Sequence, residues 1–522
     1  MMSLENTESL IEFRNMLYTF FPKRRDAIMN LLDALTSHGR QCDSVVQLSN
    51  MNCFERQYSS ITDAIADGLP EAYWEDIEKW VHQKTNNNSD KPHRFVIDCT
   101  PNPRPHAKTL VDRHITHAPN PAPGNKPICV GHQYSVLTSL PDDAPTRGKH
   151  WLVPHSAKRV PSHQKGNEVG MQQIIDCIES LGLADEMTIS IGDSLYGTEN
   201  CRVTAAQQKN LVHQFRLNSK RNVFFKPSGQ HSSSSKTGRK KEFGAKMNLS
   251  DPSTQPDSHE EANTEWISRR GKRYKVRIQC WNDVLLRGSR TFRSSQHPLR
   301  LIKVSVTDEH GELLFKRPLW LALFGERRHE IELIDAYQNY ASRYDIEHFF
   351  RFGKRNLLMD SYQTPDVEHE ELWWKLCMVA YTQLYLAKDL VPNIPQPWER
   401  YLPEYKASNN QQGTVSTPSK TQRGFAHLLK AIGTPAKPCV TRGKAKGRMV
   451  GETQPKKEIQ AIAFKTKKVI EQVANSVLPG SEETTSPLNP QRIEELIKLV
   501  QASLTTLDLT PSEFSKMLVN SS

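Results

Sequence analysis

The sequence has little that is typical of a secreted, disulfide-bonded or membrane-spanning protein. Its nine cysteines are scattered, odd in number and without a C-x-x-C pair, so we expect reduced thiols rather than a disulfide set or a zinc site. The first ten residues, M-M-S-L-E-N-T-E-S-L, are polar and acidic, unlike a signal peptide. No apolar run approaches the length that spans a bilayer. These absences predict a cytoplasmic protein with no membrane partner.

Charge is the compositional feature that indicates a partner. The 522 residues include 69 lysines and arginines against 58 acidic residues, which gives a net charge of +11 and a pI near 9.1. This balance suggests a polyanion, most simply nucleic acid, although solvated basic tails would give the same number. The length predicts roughly three domains.

Residues 1–90 have the pattern of helices. The segments S-L-I-E-F-R-N-M-L-Y-T-F-F, R-R-D-A-I-M-N-L-L-D-A-L and S-I-T-D-A-I-A-D-G-L carry apolar residues three and four positions apart. Basic residues are interspersed among them. The pattern fits a small helical DNA-binding domain, and a plain helical bundle fits it equally.

Residues 91–225 alternate between strand and helix patterns. Apolar or alternating runs predict strands, and two further runs predict helices. The expected strands are 93–100, 130–140, 150–155, 187–194 and 211–218, and the expected helices are 167–181 and 204–208. The order β-β-β-α-β-α-β implies an α/β domain with a mixed sheet.

Residues 226–330 divide into a polar part and a strand-rich part. The segment 226–264 is poor in apolar residues and rich in Ser, Lys and Gly, which predicts a flexible loop. Strands are expected at 273–281, 299–308 and 318–324, with a hairpin signal at D-E-H-G-E before the last of them.

Residues 331–395 predict helices, and residues 396–522 predict a tail. The run E-L-W-W-K-L-C-M-V-A-Y-T-Q-L-Y-L-A is apolar nearly all round, so we expect a buried helix. From about residue 396 the chain is Pro-rich and then basic, and segment 441–451 has no core-forming residues, so we expect a mostly flexible tail. The segment R-I-E-E-L-I-K-L-V predicts a short amphipathic helix near its end.

Two acidic residues each follow an apolar strand. Asp98 ends F-V-I-D, and Asp193 follows I-S-I-G. In α/β sheets, functional sites form at the carboxyl ends of strands, where an acid is often a catalytic group or a metal ligand. An aspartate at a strand end is also an ordinary turn or helix-capping residue, and for either one alone that reading is the more probable. Gly192 allows close backbone packing beside Asp193.

The stretch Y-A-S-R-Y-D-I-E-H-F-F-R-F-G-K, residues 340–354, joins an apolar face to a charged one. A single helix with about 100° per residue would place five polar side chains on one face. They are Tyr340, Arg343, Glu347, Arg351 and Lys354. The neighbouring face would pack into a core through Ile346, Phe349, Phe350 and Leu357. This helix is either a surface helix with ion pairs at i,i+4 spacing or the carrier of an acidic metal ligand beside phosphate-binding cations.

The spacing Y-x2-R-x3-E-x6-K, filled by Tyr340, Arg343, Glu347 and Lys354, resembles the signature around the last acid of DDE transposases from bacterial insertion sequences. The strands F-V-I-D-C-T and I-S-I-G-D-S-L-Y-G resemble the two Asp motifs of that family, in the expected order. The resemblance runs from about residue 90 to 390, and the basic segment near 441–448 is similar to tails of one subgroup. Cys99-Thr100 after the first acid and the long Ser-rich loop depart from the usual pattern.

The resemblance implies an α/β fold with an RNase H-like, retroviral-integrase-like catalytic core and a β-rich insertion. The core would comprise residues 91–225 and 331–395, and the insertion would lie within 226–330. Asp98 and Asp193 would lie on neighbouring strands, with Glu347 reaching them from a helix. These acids would hold two Mg²⁺ ions, for which Mn²⁺ can substitute, and the ions would activate water and then a 3′-hydroxyl for attack on DNA phosphodiesters.

The resemblance also implies contacts with DNA. Tyr340, Arg343 and Lys354 would hold phosphates next to the scissile bond. The strand-end arginines Arg216 and Arg221 are equally explained by surface solubility, and the basic tail suits non-specific phosphate binding. Together with Arg351, the candidate DNA contacts therefore include Arg216, Arg221, Arg442, Lys444, Lys446 and Arg448. His348 points about 100° away from Glu347 and is expected to be structural or a phosphate contact.

In relatives with the insertion, cleavage passes through hairpin ends, and a tryptophan helps to stabilise a flipped base. Trp281 and Trp320 are candidates by position, although both are more simply core tryptophans.

The sequence thus predicts a cut-and-paste DNA transposase acting on terminal inverted repeats and target DNA, as at least a homodimer, at the bacterial nucleoid. Two alternatives remain open. One is a transposase-derived DNA-binding protein or repressor without catalysis, and the other is a stand-alone metal-dependent nuclease on the same fold.

Overall fold

The computed structural model describes residues 4–67, 71–85, 91–118, 127–141, 151–227, 242–268, 271–391, 397–401, 416–440 and 456–463, together with residues 449, 451 and 453. Residues Met1–Ala461 form one compact unit. Across these described residues, no helix combines the length and apolar character needed to cross a membrane. The predicted helix at 492–500 and most of the basic tail lie outside the described residues.

A mixed sheet of ten strands runs through this unit in the order β2-β3-β1-β5-β6-β12-β11-β10-β9, with β4 also paired to β3. A separate pair, β7 and β8, lies off this sheet. The strands are β1 His93–Pro103, β2 His114–His117, β3 Ile128–Ser139, β4 Val153–Val160, β5 Thr188–Gly192, β6 Leu211–Leu217, β7 Asn222–Phe224, β8 Lys246–Asn248, β9 Glu260–Ile267, β10 Arg273–Val284, β11 Leu299–Thr307 and β12 Leu319–Phe324.

Helices pack against the sheet and against other helices. The α-helices of the described residues are α1 Leu4–Phe20, α2 Arg25–Ser37, α3 Ser59–Ala66, α4 Glu71–Thr85, α5 Gly166–Leu181, α6 Glu199–Ala205, α7 Leu333–Ser342, α8 Asp345–Asn356, α9 Val367–Leu386 and α10 Pro418–Ile432.

The centre of the sheet has the predicted α/β character. β1 pairs antiparallel with β3 on one side and parallel with β5 on the other, and β5 pairs parallel with β6. Every residue of β5 is buried, including the polar Thr188 and Ser190, as suits a central strand of a sheet that is covered on both faces. Three antiparallel strands followed by two parallel strands fit an RNase H-like fold. The short strand β2 was not predicted, and the helix predicted at 204–208 instead covers Glu199–Ala205.

The strands after β8 extend the same sheet. β12 pairs antiparallel with β6, and β11, β10 and β9 follow outward in turn. The loop predicted for 226–264 is therefore wrong for β8 and for the part of β9 within that range. β9 is an edge strand whose side chains are exposed at alternate positions. The polar composition of β9 suits an edge strand. The same composition is why the sequence pattern did not predict a strand there.

The N-terminal helices share a core with α9, which is buried as predicted. Arg14 of α1 forms a buried ion pair with Asp33 of α2, at 2.6 Å, and also donates to the side chain of Gln383 on α9. Gln383 in turn donates to Thr36. Because buried polar groups must be paired, these hydrogen bonds between the three helices help to fix how α1 and α2 pack on α9.

The stretch 340–354 is not the single helix that the sequence predicted. α7 ends at Ser342 and α8 begins at Asp345. At the junction the amides of Ile346 and Glu347 bind carbonyls three residues earlier, those of Arg343 and Tyr344, so the ladder tightens locally into a 3-10 turn. The apolar face is as expected, since Ile346, Phe349, Phe350 and Leu357 are all buried.

Candidate active site

Asp98 and Asp193 lie at corresponding positions of the two central strands. The parallel register pairs His93 with Thr188 and Val96 with Ile191, a constant offset of 95 residues. The same offset places Asp98 opposite Asp193, just beyond the last pair. Neighbouring strands lie about 4.8 Å apart, so both acids occupy one edge of the sheet.

The chain around Asp193 is shaped by close packing of Tyr196. Asp193 caps a 3-10 turn, Ser194–Gly197, by accepting a hydrogen bond from the amide of Leu195. A Cβ added at Gly192 would lie 2.6 Å from the ring of Tyr196, so this position excludes a side chain. Tyr196 is fully buried, and its hydroxyl lies 3.8 Å from Sγ of Cys99. Tyr196 therefore links the two acid-bearing segments, a role that the sequence analysis missed.

Asp98 is held by one backbone and one side-chain donor. The amide of Cys99 donates to Oδ1 at 2.8 Å, and Nη1 of Arg343 donates to Oδ2 at 2.9 Å. Burial raises the pKa of Asp98 above its ordinary value; Arg343 opposes this effect and the charge of Asp193 adds to it. A positive charge beside Asp98 offsets the repulsion between the negative charges of Asp98 and Asp193, and Arg343 supplies such a charge.

Glu347 joins the group through Arg343. Nη2 of Arg343 lies 3.9 Å from Oε1 of Glu347, one helical turn later in the chain. The guanidinium is 13 % exposed and the Glu347 carboxylate is 44 % exposed, so the acid faces solvent while the arginine lies beneath it. Among the described residues, the oxygens of Asp98, Asp193 and Glu347 do not all lie within 4.8 Å of one another. Arg343 bridges two of the three acids.

Tyr340 and Arg216 border the acids. The guanidinium of Arg343 lies 5.7 Å from the centre of the Tyr340 ring. Burial raises the pKa of Tyr340, while Arg343 and Arg216 lower it and Asp193 raises it further. The exposed Arg216 of β6 and Asp193 therefore both act electrostatically on this hydroxyl.

Lys354 is placed at the end of β1. Its Nζ donates to the carbonyl of Pro101, three residues after Asp98. Burial lowers the pKa of Lys354, and Asp360 opposes that effect. Lys354 also lines a groove of about 470 Å³ with Arg355 of α8 and with Arg40 and Asp43 of the segment after α2.

An adjoining cavity of about 190 Å³ shares Arg40 and Arg355 with that groove and adds Arg351 and His348. Thr417 and Pro418, at the start of α10, close its other side. We call the two together the cationic groove. Its cations, together with the positive end of the α10 dipole, can bind phosphate groups. Arg40 was not predicted, because its place beside α8 depends on tertiary packing.

The other candidate DNA contacts do not line the cationic groove in the described structure. Arg221 is exposed in the turn after β6 and acts electrostatically on Arg202 of α6. Arg442, Lys444, Lys446 and Arg448 lie outside the described residues.

Trp281 and Trp320 do not fit base stacking. Each is 1 % exposed, and their rings lie 5.7 Å apart in the core. Nε1 of Trp281 donates to the carbonyl of Pro256. Their suggested role with a flipped base is therefore wrong, because neither ring has a face available to DNA, and the core interpretation is confirmed.

A larger cavity lies elsewhere in the described part of the chain. It measures about 760 Å³ and lies at the amino ends of β1 and β5, lined by His93, Arg94, Glu186 and Arg327 among others. The acids lie at the opposite ends of these strands. Catalysis on a long polymer needs an open surface rather than an enclosed pocket, so we place the candidate site at the acids.

The donor set at the acids fits a hard divalent cation. All three side chains offer carboxylate oxygens, which Mg²⁺ prefers, and Mg²⁺ usually keeps waters or substrate phosphates as further ligands. In both aspartates a backbone amide holds Oδ1, which leaves Oδ2 as the oxygen for a cation. In Asp98 that oxygen binds Arg343, whose positive charge occupies the place of an ion.

These features define a class of protein: a mixed α/β protein with acids at the ends of adjacent parallel strands in a sheet that fits an RNase H-like fold. A family model described as DDE superfamily endonuclease matches residues 16–282, just over half of the chain, and the chain belongs to this family. The match includes Asp98 and Asp193 and ends before Glu347. Enzymes of this superfamily act on DNA and generally depend on divalent metal ions. No curated protein matches the chain.

Proposed function

We propose that the protein is a DNA transposase that cleaves strands at transposon ends and transfers them to target DNA. The observation that carries the proposal is the register of β1 and β5, which sets Asp98 opposite Asp193. Arg343 binds Asp98 and lies near Glu347, which supports assigning Glu347 as the third acid of the site.

In this proposal Asp98, Asp193 and Glu347 hold two divalent ions, Mg²⁺ or in its place Mn²⁺. The ions would supply an activated water or 3′-hydroxyl and neutralise charge on the phosphate. An ion on Oδ2 of Asp98 would displace Arg343, and the guanidinium would then be available to a phosphate oxygen. Tyr340, lying under Arg343, limits how far the guanidinium can move. Lys354 adds a point charge beside the end of β1.

The DNA backbone would follow the cationic groove away from the acids. Arg351 and Arg355 are exposed on α8, and Arg40 faces them from the N-terminal part of the chain. Arg216, which acts electrostatically on Tyr340, would add a further cation beside the acids. We retain Arg221 and the basic tail residues as proposed non-specific contacts.

Transposition also requires that transposon ends are recognised and that two ends are brought together. Residues 1–90 would recognise transposon ends, because Arg40 of this part of the chain lines the cationic groove. At least a homodimer would bring two ends together, at nucleoid DNA in the cytoplasm. Hairpin ends remain part of the proposal, but they require an aromatic side chain other than the two buried tryptophans.

Strand cleavage and joining of labelled DNA carrying the element's own ends tests the proposal. With Mg²⁺ the intact chain should release the ends and join them to a second DNA, and Glu347→Gln should bind DNA without either reaction. Cleavage without joining would favour a stand-alone nuclease. Binding without cleavage by the intact chain would favour a repressor. A hairpin would migrate on a denaturing gel as a strand of twice the length.

A further inference from the structure

A second cluster of metal-ligating side chains lies away from the acids. It consists of Glu78 on α4, His155 on β4 and Cys177 on α5, all of them buried. One ligand atom from each residue lies within 4.8 Å of the other two, and within the described part of the chain this is the sole group of three His, Cys, Asp or Glu that does so. The three residues come from separate elements, so the fold brings them together.

The spacing between Glu78 and His155 suits a bound ion better than a hydrogen bond, while the Cys177 thiol is hydrogen-bonded to the Glu78 carboxylate. Oε1 of Glu78 and Nδ1 of His155 lie 3.3 Å apart. Among the described residues, neither of these buried atoms has a hydrogen-bond partner. A tetrahedral zinc ion with bonds of about 2.0–2.1 Å to nitrogen and oxygen sets two such ligands about 3.3 Å apart. The observed distance between these two atoms equals the ligand-to-ligand distance of such a site.

His155 is oriented from outside the cluster. Its Nε2 lies 2.9 Å from Oγ of Ser139, and its backbone carbonyl accepts a hydrogen bond from Nε1 of Trp74 on α4. If Nε2 carries the ring proton and donates it to Ser139, the lone pair of Nδ1 faces the Glu78 carboxylate. A cation between them then removes that repulsion. Such an outer partner is typical of histidines that bind metals.

His82 offers a fourth ligand. It lies one helical turn after Glu78 on α4, so both side chains face the same side of that helix. Its ring centre lies 5.8 Å from that of His155, and the side chain is buried. Its ring nitrogens lie outside the group of ligand atoms within 4.8 Å of one another, so the His82 side chain would turn toward the ion to complete a four-coordinate shell.

We propose that Glu78, His155 and Cys177, with His82, form a structural zinc site that fastens α4 to β4 and α5. Thiolate and imidazole ligands favour Zn²⁺ over Mg²⁺, and four protein ligands leave no open position for catalysis. The inference is independent of the proposed DNA chemistry. It departs from the expectation of no zinc site, which rested on the absence of clustered cysteines in the sequence.

Binding would exchange a proton for the ion. Burial raises the pKa of Cys177 well above its ordinary value, and the Glu78 carboxylate adds to this effect, so the thiol is protonated in the metal-free chain. When Zn²⁺ binds, the S–H bond breaks, the proton leaves to solvent and the thiolate binds the ion. No oxidation or reduction is involved.

The test uses the full-length chain, stripped with a chelator and titrated with Zn²⁺ or Co²⁺ alone. We expect one tightly held Zn²⁺ per chain, a higher melting temperature with Zn²⁺, and a thiolate-to-cobalt charge-transfer band with Co²⁺. The band identifies cysteine ligation, because Co²⁺ at the acids Asp98, Asp193 and Glu347 would have oxygen ligands only. Cys177→Ser should abolish the band. Cys377→Ser is the matched control, since that thiol is also fully buried in a helix but binds the carbonyl of Leu357 instead.

A milder variant tests the zinc site even if Cys177→Ser fails to fold. Ser139→Ala removes the outer partner of His155 and should weaken Zn²⁺ binding roughly 10–100-fold while the chain stays folded. Ser135→Ala, at another buried serine of β3, should leave the affinity unchanged. A chain that shows no thiolate band, a band that survives Cys177→Ser, or equal effects of the two serine variants would each overturn the proposal.

Discussion

Nη1 of Arg343 lies 2.9 Å from Oδ2 of Asp98, so the first acid of the site is neutralised by an arginine four residues before the last acid. The same guanidinium lies 3.9 Å from Glu347. Arg343 thus links Asp98 and Glu347, and in the proposed function it would compete with an ion for Oδ2 of Asp98. This competition has measurable consequences.

Replacing Arg343 should separate ion binding from catalysis. In Arg343→Gln the oxygen of Asp98 is free for an ion, so Mn²⁺ should bind roughly tenfold more tightly in the absence of DNA, equivalent to about 1.4 kcal/mol. Strand cleavage should fall, because the phosphate loses its guanidinium. Titration of Mn²⁺ by electron paramagnetic resonance measures the first effect.

Arg351→Gln is the control for this variant, since Arg351 lies on the exposed side of α8 and has no contact with Asp98 in the described structure. It should leave the Mn²⁺ affinity unchanged. Weaker Mn²⁺ binding in Arg343→Gln would show that the arginine supports the ion site instead of competing with it.

Asp98 should lower the stability of the chain at neutral pH. Its pKa in the folded chain is raised by burial, so folding favours the protonated acid. The contribution of Asp98 to stability is therefore most favourable below its ordinary pKa of 3.8 and declines as pH rises through the raised value. Asp98→Asn, which mimics the protonated acid, should raise the melting temperature at pH 7 by roughly 2 °C. The gain should vanish near pH 3.5.

The comparison for this prediction is Asp257→Asn, at an exposed aspartate of the loop before β9. Melting curves of the three proteins between pH 3.5 and pH 8 give the answer. If Asp98→Asn is less stable than the intact chain at pH 7, the Arg343 ion pair outweighs burial, and the assigned cause of the pKa shift is wrong.

The cationic groove should account for part of the salt dependence of DNA binding. Each phosphate contact contributes about 0.9 to the slope of log affinity against log salt. Arg40→Gln and Arg355→Gln should each reduce the slope by about that amount. Lys209→Gln is the control, because Lys209 is exposed before the amino end of β6, at the edge of the sheet opposite the acids. Equal slopes for all variants would exclude the groove as a DNA track.

Glu370 should be essential for stability. This buried acid on α9 accepts hydrogen bonds from Arg104 at 2.7 Å and Tyr134 at 2.9 Å, and lies 2.7 Å from Nδ1 of His132. Its removal leaves a buried guanidinium without its acid. Glu370→Ala should therefore lower the free energy of unfolding in urea by about 3–5 kcal/mol.

The pH dependence gives this prediction a second readout. Burial raises the pKa of Glu370, but His132 and Arg104 outweigh it, so the pKa is lowered. The contribution of Glu370 is thus fully present above about pH 4.5 and is lost as pH falls through its lowered pKa. The exposed Glu368→Ala on the same helix should cost less than about 1 kcal/mol. Similar losses in both variants would contradict the account.

The sequence predicted the acid-bearing strands because each is an apolar run that ends at an aspartate. It could not predict that the offset of 95 residues sets Asp98 opposite Asp193, since register depends on pairing between distant segments. The edge strand β9 escaped prediction because its exposed side chains are polar. The break between α7 and α8 also escaped, because Arg343 and Tyr344 keep helical dihedral angles and the apolar period continues through them.

Sequence patterns could not predict the residues that reach a site only through tertiary packing. Arg40 precedes α8 by some 300 positions and meets Arg355 only because α2 packs against the second half of the chain. Tyr196 has an unremarkable place in the sequence, and its role follows from the missing side chain of Gly192.

The central claim is that Asp98, Asp193 and Glu347 act as one catalytic unit. The most direct test measures Mg²⁺-dependent cleavage of end DNA by Asp98→Asn, Asp193→Asn, Glu347→Gln and the triple variant, with Asp257→Asn as the control. We predict that each single variant loses as much activity as the triple variant, while all of them still bind DNA, since groups that act as a unit are strongly non-additive. Substantial cleavage by any single variant would contradict the claim.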